Sequence, residues 1–299
     1  MTPRLSVVIP FHGAERWIER CVEGVLSQAY PREAYEVLLV DNNSSDGSAG
    51  IVERYPGVTL LHEPAQSAYA ARNRGARAAR GDILVFTDAD CVPRGDWLAS
   101  MSEAMRDPRV ELVVGSVTPG GDSPLVNLLG AYEDVKARHI VASGDARLYV
   151  GHAGNMAMRR ATFDRCGPFV EWRRGSDTTL VRRVVDSRSC GAVRYEPGAA
   201  VEHLEVERPA DYLAKVFTYG RSYRHYRRLN GCRPLTSGKR LRLLGATMRR
   251  ERPTPLDGAR LSVVLLVGLG CWLAGSAVGL RDAFSAPATL RAVPPPRTG

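Results

Sequence analysis

Asp88 and Asp90 stand one residue apart where the apolar run Ile83-Leu84-Val85-Phe86, preceded by Gly81, ends. Two carboxylates at the exit of a buried strand supply hard oxygen donors, which suit Mg²⁺ or Mn²⁺ bridging phosphate oxygens. Strand alternation predicts both side chains on one side of the chain, with small Ala89 between them. An Asp-x-Asp pair also suits a solvated polar loop, so the rest of the chain has to decide. Asp41 likewise closes an apolar run, Val37-Leu38-Leu39-Val40. Asp177 opens a predicted helix, where the helix dipole favours negative charge. His203 follows Ala199-Ala200-Val201-Glu202 at the end of another run.

The elements that must position these groups follow from periodicity. Strands are predicted at Leu5–Pro10, Glu36–Asp41, Val58–Leu61, Ile83–Phe86, Val110–Val117, Ala192–Tyr195 and Ala199–His203, with a glycine-rich turn at Gly151–Gly154 feeding one more. Helices are predicted from about Ala14 to Gln28, up to Tyr55, over Ser67–Ala79, Asp96–Met105, Leu125–Ala142 and Ala161–Cys166, and from Asp177 onward. Strands alternating with helices imply an α/β fold with a mostly parallel sheet and helices on both faces. Ligands of such sheets bind beyond the carboxyl ends of the strands, where Pro10, Asp41 and the Asp88/Asp90 pair fall. No G-x-G-x-x-G follows the first strand and no G-x-x-x-x-G-K-[ST] occurs, so phosphates would be met by a metal and side chains.

The chain has 299 residues, 44% of them hydrophobic, which fits a folded protein with a sizeable core. Arg208 to Arg252 holds 13 Lys and Arg against two acids, a net +11 within a total of +9, so the remainder carries −2. This basic segment has Tyr212, Phe217, Tyr219, Tyr223 and Tyr226 interleaved. Leu261 to Leu280 then runs 20 residues without a charge, about 30 Å of helix and enough for one bilayer crossing; a buried core helix is the other reading. A basic, aromatic segment just before such a run suits anionic head groups and a lipid pyrophosphate, and argues for a membrane rather than nucleic acid. The positive charge ahead of Leu261 predicts a single-pass protein of the inner (cytoplasmic) membrane with its larger part cytoplasmic. Six scattered cysteines without a C-x-x-C pair suggest no zinc site; Cys21 and Cys271 are expected as buried free thiols, which fits a reducing compartment. Leu5 to Phe11 is too short for a secretory signal. The proline-bearing tail is expected to be disordered.

Six pieces of this sequence, in order, resemble the family 2 glycosyltransferases, which have the GT-A fold. They are Ser6-Val7-Val8-Ile9-Pro10 with Glu15, Val40-Asp41-Asn42-Asn43-Ser44-Ser45-Asp46-Gly47, Ala71-Arg72-Asn73-Arg74-Gly75, Thr87-Asp88-Ala89-Asp90, Gly154-Asn155-Met156-Ala157-Met158-Arg159-Arg160, and Asp177 with Leu180 and Arg183. They cover roughly residues 4 to 205. The chain departs from the pattern at Ser176, where the family usually has Glu, and lacks the Q-x-x-R-W motif of processive members. The implied organisation is a GT-A catalytic domain at 1–205, a basic membrane-proximal helical segment at 206–258, a transmembrane helix at 259–281 and a tail at 282–299.

The resemblance implies roles residue by residue. Asp41 would accept a hydrogen bond from the nucleotide base, with Pro10 at the same strand end, and Glu15 would contact the nucleoside or face solvent. Arg72 would contact the base or diphosphate; an exposed helical arginine is the alternative. Asp88 would face the ribose or the metal, Asp90 would ligate the metal, and His203 would complete its shell or serve structure alone. Asn155 would bind sugar hydroxyls or shape a turn. Asp177 would be the general base of an inverting transfer, or a helix cap. The expected activity is transfer of a sugar from a UDP- or GDP-sugar to a membrane-associated, lipid-linked or glycan acceptor with Mg²⁺ or Mn²⁺. Two rivals are a non-catalytic nucleotide-sugar-binding scaffold at the membrane, which Ser176 invites, and a sugar-phosphate nucleotidyltransferase, which would need a glycine-rich loop that Phe11-His12-Gly13 does not supply.

Overall fold

The apolar runs of this sequence have no polar face, because both sides of the sheet they form are covered. A computed structural model describes residues 4–171 and 174–284. Along it run β1 (Leu5–Phe11), α1 (Ile18–Leu26), β2 (Tyr35–Asp41), α2 (Ser48–Glu53), β3 (Thr59–His62), α3 (Ala68–Ala78), β4 (Ile83–Thr87), β5 (Cys91–Pro93), α4 (Trp97–Ala104), β6 (Leu112–Pro119), α5 (Pro124–Ala142), β7 (Asn155–Arg159), α6 (Arg160–Cys166), α7 (Ser176–Ser187), β8 (Val193–His203), α8 (Pro209–Asn230), α9 (Ser237–Glu251) and α10 (Pro255–Phe284). Alternation sends Val7, Ile9, Val37, Leu39 and Val85 to one face, against α1 and α4. It sends Val8, Leu38, Val40, Leu84 and Phe86 to the other, against α3, α6 and α7.

The strand order is β3-β2-β1-β4-β7-β6-β8-β5. β3, β2, β1 and β4 are parallel, as the alternation of strands and helices predicts. β7 is antiparallel to β4 and to β6, β8 runs parallel to β6, and β5 is antiparallel to β8 at the edge. Because the pairing reverses at β7, the start of β7 lies at the same end of the sheet as the carboxyl ends of β1, β2 and β4.

Three expectations are corrected here. The two strands expected at 192–195 and 199–203 are one, β8. Pro197-Gly198 reads as a break in the sequence, but a register shift opposite Gly115 and Ser116 absorbs it. Asp88 and Asp90 lie beyond the strand, as expected, but strand alternation does not set their directions. β4 ends at Thr87, and a turn closed by the Cys91 N–H to the Asp88 carbonyl (3.0 Å) carries both acids. Cys21 is buried as expected, but Cys271 is only partly so.

The C-terminal helices belong to the same body. Leu261 is 0% exposed, packed on Leu128 and Leu129 of α5. A Cβ on Gly275 would lie 2.1 Å from the Phe217 carbonyl oxygen, so α10 meets the backbone of α8 directly. The opposite face of α10 is open and apolar, with Val263, Leu266, Val267, Leu273 and Val278 exposed at helical spacing. By length and composition α10 can cross a membrane. The span expected at 259–281 falls within this helix, which also has one face packed on protein. The tail from residue 285 to 299, expected as disordered, lies outside the described residues.

Candidate active site

Two registers assemble the site. Thr87 stands opposite Asn155 across β4 and β7, which brings the Gly151–Gly154 loop to the end where β4 stops. A Cβ on Gly154 would lie 2.7 Å from Asp88 Oδ2, so only glycine lets this backbone lie against the carboxylate. Cys91 stands opposite His203 across β5 and β8, which sets the imidazole Nε2 3.5 Å from Asp90 Oδ2. Arg72, Asp88, Asp90, His152, Asp177 and His203 line one cavity of about 1130 Å³. Its far wall is apolar and comes from α5 and α10, with Leu129, Ile140, Leu265, Leu269 and Trp272.

The charges are arranged in pairs. Arg72, only 5% exposed, reaches from α3 to bind Asp88 Oδ1. Burial opposes ionisation of Asp88, but the Arg72 guanidinium, helped by His152 and His203, outweighs it and holds the carboxyl below its usual value. Asp90 goes the other way: burial and the neighbouring Asp88 push it up to about 6. Burial, then Lys215 and His152, lowers His203 to about 4, so its imidazole is neutral near pH 7.

This donor set fits a hard divalent ion. Ligand atoms of Asp90, Cys91 and His203 all lie within 4.8 Å of one another. A carboxylate and a neutral imidazole suit Mg²⁺ or Mn²⁺. Burial, Asp90 and Asp88 push the Cys91 thiol well up, so it stays protonated and is not a ligand of that kind. Asp88 stands outside the trio, with one oxygen already given to Arg72.

Asp177 lies in the first turn of α7, but the N-cap is Gly175, not Asp177. Its carboxylate accepts from the backbone N–H groups of Thr178 (2.8 Å) and Ala153 (3.3 Å) and from the Tyr69 hydroxyl (3.3 Å). The same hydroxyl accepts the Gly175 N–H at 3.2 Å. Tyr69 thus ties α3 to the start of α7 and fixes the carboxylate on the cavity wall. Ser176 is 0% exposed and absent from the lining, its hydroxyl buried without a partner among the described residues. The departure from the family pattern thus places no side chain of residue 176 on the cavity wall.

Other expected site residues lie elsewhere. Asn155 does not reach the cavity. Its side chain is 0% exposed, accepting from Trp97 Nε1 (2.8 Å) and donating to the carbonyls of Ser116 (2.7 Å) and Ala199 (2.8 Å). With its amide fully engaged it braces β7 against β6, β8 and α4, which corrects the sugar-binding expectation. Pro10 is buried in β1. Asp41 accepts the Ser44 N–H at 2.9 Å, and Glu15 the Gly47 N–H at 3.2 Å. These three sit at the same end of the sheet but outside the cavity lining.

Sequence reasoning missed Tyr69, His152 and Lys215. His152 borders Asp88 and has a buried Nδ1 without a partner among the described residues; its place between Gly151 and Gly154 read only as a turn. Lys215 was one of 13 basic residues in its segment, with nothing local to mark it.

The family model of glycosyl transferase family 2 matches residues 6–167. Glycosyltransferase AglE of Haloferax volcanii is 30% identical over 194 residues, 62% of this chain and 62% of that protein. The pre-mycofactocin glycosyltransferase of Mycobacterium tuberculosis is 28% identical over 235 residues, 73% of this chain but 46% of that protein. The chain thus spans less than two thirds of the length of either relative. Among solved structures, the mannosyltransferase PcManGT from Pyrobaculum calidifontis, in complex with GDP-Man and Mn²⁺, has a TM-score of 0.64 at 21% identity and covers 94% of this chain and 88% of its own. Glucosyl-3-phosphoglycerate synthase from Mycobacterium tuberculosis, with Mn²⁺ and UDP-glucose, has a TM-score of 0.56 at 18% identity, covering 78% of this chain and 80% of its own. These likenesses establish the GT-A fold.

Proposed function

This chain belongs to glycosyl transferase family 2, and from that premise we propose that it transfers a sugar, with inversion, from a UDP- or GDP-sugar to a lipid-linked or glycan acceptor at a membrane. The observation that carries this reading is that Asp177, the Asp90–His203 pair and an apolar wall face one cavity.

The acceptor hydroxyl lies against Asp177, which takes its proton as the oxygen attacks the anomeric carbon. The new oxygen–carbon bond forms as the bond from that carbon to the diphosphate breaks, and the nucleoside diphosphate leaves with the electron pair. Tyr69 and the Ala153 N–H hold the Asp177 carboxylate in place. Arg72 keeps Asp88 ionised beside the donor. Asp90 and His203 would hold Mg²⁺ or Mn²⁺, which supplies Lewis-acid stabilisation of the departing diphosphate. Pro10, Glu15 and Asp41, at the neighbouring strand ends, receive the nucleoside. Both PcManGT and the mycobacterial synthase are named as complexes with Mn²⁺ and a nucleotide sugar, which supports this donor class.

The apolar wall supports an acceptor carrying a hydrocarbon chain, since a free sugar would leave Leu265, Leu269 and Trp272 facing water. The open stripe of α10 supports a lipid surface against that side of the protein. The basic residues of the preceding segment favour the anionic cytoplasmic leaflet, with the catalytic domain in the cytoplasm.

Titration calorimetry of the full chain with UDP and with GDP, each with and without Mn²⁺, tests the reading. Metal-dependent binding of one nucleotide, lost in Asp90→Ala, is the expected result. Tight binding that ignores both Mn²⁺ and Asp90 overturns the metal role, and no binding of either nucleotide overturns the donor class.

A further inference from the structure

Lys215 enters the cavity from α8 and points into the group of side chains assigned above to a divalent ion. Its Nζ lies 2.5 Å from His203 Nε2 and 3.1 Å from Glu205 Oε2. Glu205 is on the solvent side, with its side chain 60% exposed. A neutral imidazole has one lone pair. The Glu205 N–H lies 3.3 Å from Nδ1, but the much closer Lys215 ammonium, which can only donate, places the lone pair on Nε2. There it can accept from the ammonium or bind a metal, but not both.

We propose that Lys215 is the resident cation of this site, and that a divalent ion enters only as the Lys215 ammonium leaves His203 for Glu205. The proposal rests on the reading of Asp90 and His203 as ligands.

Charge balance argues for it. Two acids one residue apart stand in a largely buried setting, where like charges repel strongly. Arg72 balances Asp88. The ammonium of Lys215 lowers the cost of charge on Asp90, as a divalent ion would. A divalent ion and an ammonium on the same imidazole would repel each other, so the second cannot stay once the first arrives. Lysine suits an exchange because its charge sits on a flexible four-carbon stem, and Glu205 already offers the second berth. The nucleoside diphosphate brings negative charge of its own and favours the exchanged state. Cation binding is therefore weak in the nucleotide-free protein and strengthens when nucleotide is present.

The test is Mn²⁺ titration of the nucleotide-free full chain, followed by loss of the paramagnetic signal of free Mn²⁺ and checked by calorimetry. Lys215→Met is expected to bind Mn²⁺ about tenfold or more tightly than the parent. Lys215→Arg keeps the charge and is expected to bind no more tightly than the parent, which separates exchange from a general change in the fold. Equal or weaker Mn²⁺ binding by Lys215→Met overturns the exchange and leaves the ligand assignment standing. If Asp90→Asn in the Lys215→Met background leaves Mn²⁺ binding unchanged, the ligand assignment fails and the exchange fails with it.

Discussion

Asp134 on α5 is ion-paired to Arg250 on α9, across the seam between the sheet domain and the C-terminal helices. The same carboxylate accepts from the Tyr195 hydroxyl on β8 (2.5 Å) and from Arg138 Nε (2.9 Å). One side chain, 11% exposed, thus joins α5, which supplies part of the apolar wall, to α9 and β8. Burial opposes its charge, but Arg138, Tyr195 and Arg250 hold the carboxyl below its usual value. A lowered folded-state value means that the unfolded chain takes up the proton first. The stability from this group is therefore fully present above about pH 4 and is lost as pH falls further. Asp134→Asn should lower stability by about 1–3 kcal/mol at pH 7. In thermal melts the gap between parent and variant should close on acidification; a gap independent of pH would refute the ion-pair account.

Asp177→Asn removes the proton acceptor while leaving a side chain of the same shape. Its kcat should fall by roughly 10² to 10⁴, while calorimetric binding of the nucleotide sugar is retained. Ser176→Ala is the contrasting neighbour. It deletes a buried hydroxyl without a partner among the described residues, so turnover should be unchanged and stability raised by about 1 kcal/mol. Unimpaired turnover in Asp177→Asn would remove the general-base assignment.

Asn155→Ala leaves the Trp97 N–H and two buried carbonyls without their partner. The cost is about 2–4 kcal/mol, read as a lower melting temperature. Donor KM, measured well below that temperature, should stay at the parent value. A raised KM with no loss of stability would return Asn155 to the sugar-binding site.

Leu266 and Leu273 are 71% and 55% exposed on the open stripe of α10. The double change Leu266→Glu, Leu273→Glu should abolish sedimentation with vesicles containing anionic lipid and leave the melting temperature unchanged, because neither side chain is part of the core. Alkaline carbonate should release the parent protein from membranes, as expected for one-sided contact. Retention in the membrane pellet would mean that α10 crosses the bilayer.

Much of the parallel half was legible because apolar runs bounded by turn residues leave few alternatives. β1, β2 and β4, and the helices around Val22, Ala71 and Leu98, lie where periodicity put them. The acids at strand ends were legible for the same reason: a charge that closes a buried strand has nowhere to go but the end of the sheet. Pro197-Gly198 misled because a bulge is a property of the paired strand, not of the local sequence. Asn155 misled because an asparagine after a glycine-rich turn reads as a surface residue until Trp97, 58 positions away, is seen to cover it.

The sequence by itself determined the strands, the helices and the acids that end them, since these depend on periods of two and of 3.6 and on local turn chemistry. It also determined that the C-terminal third is basic and then apolar. Only the tertiary structure decided which groups share a cavity. His203 meets Asp90 through the antiparallel register of β5 and β8, more than a hundred residues apart. Lys215 joins them because α8 packs on α10, and α10 becomes a wall of the site because Gly275 admits the backbone of α8. Long-range register and close helix contact arise from packing between distant segments, and no local pattern encodes them.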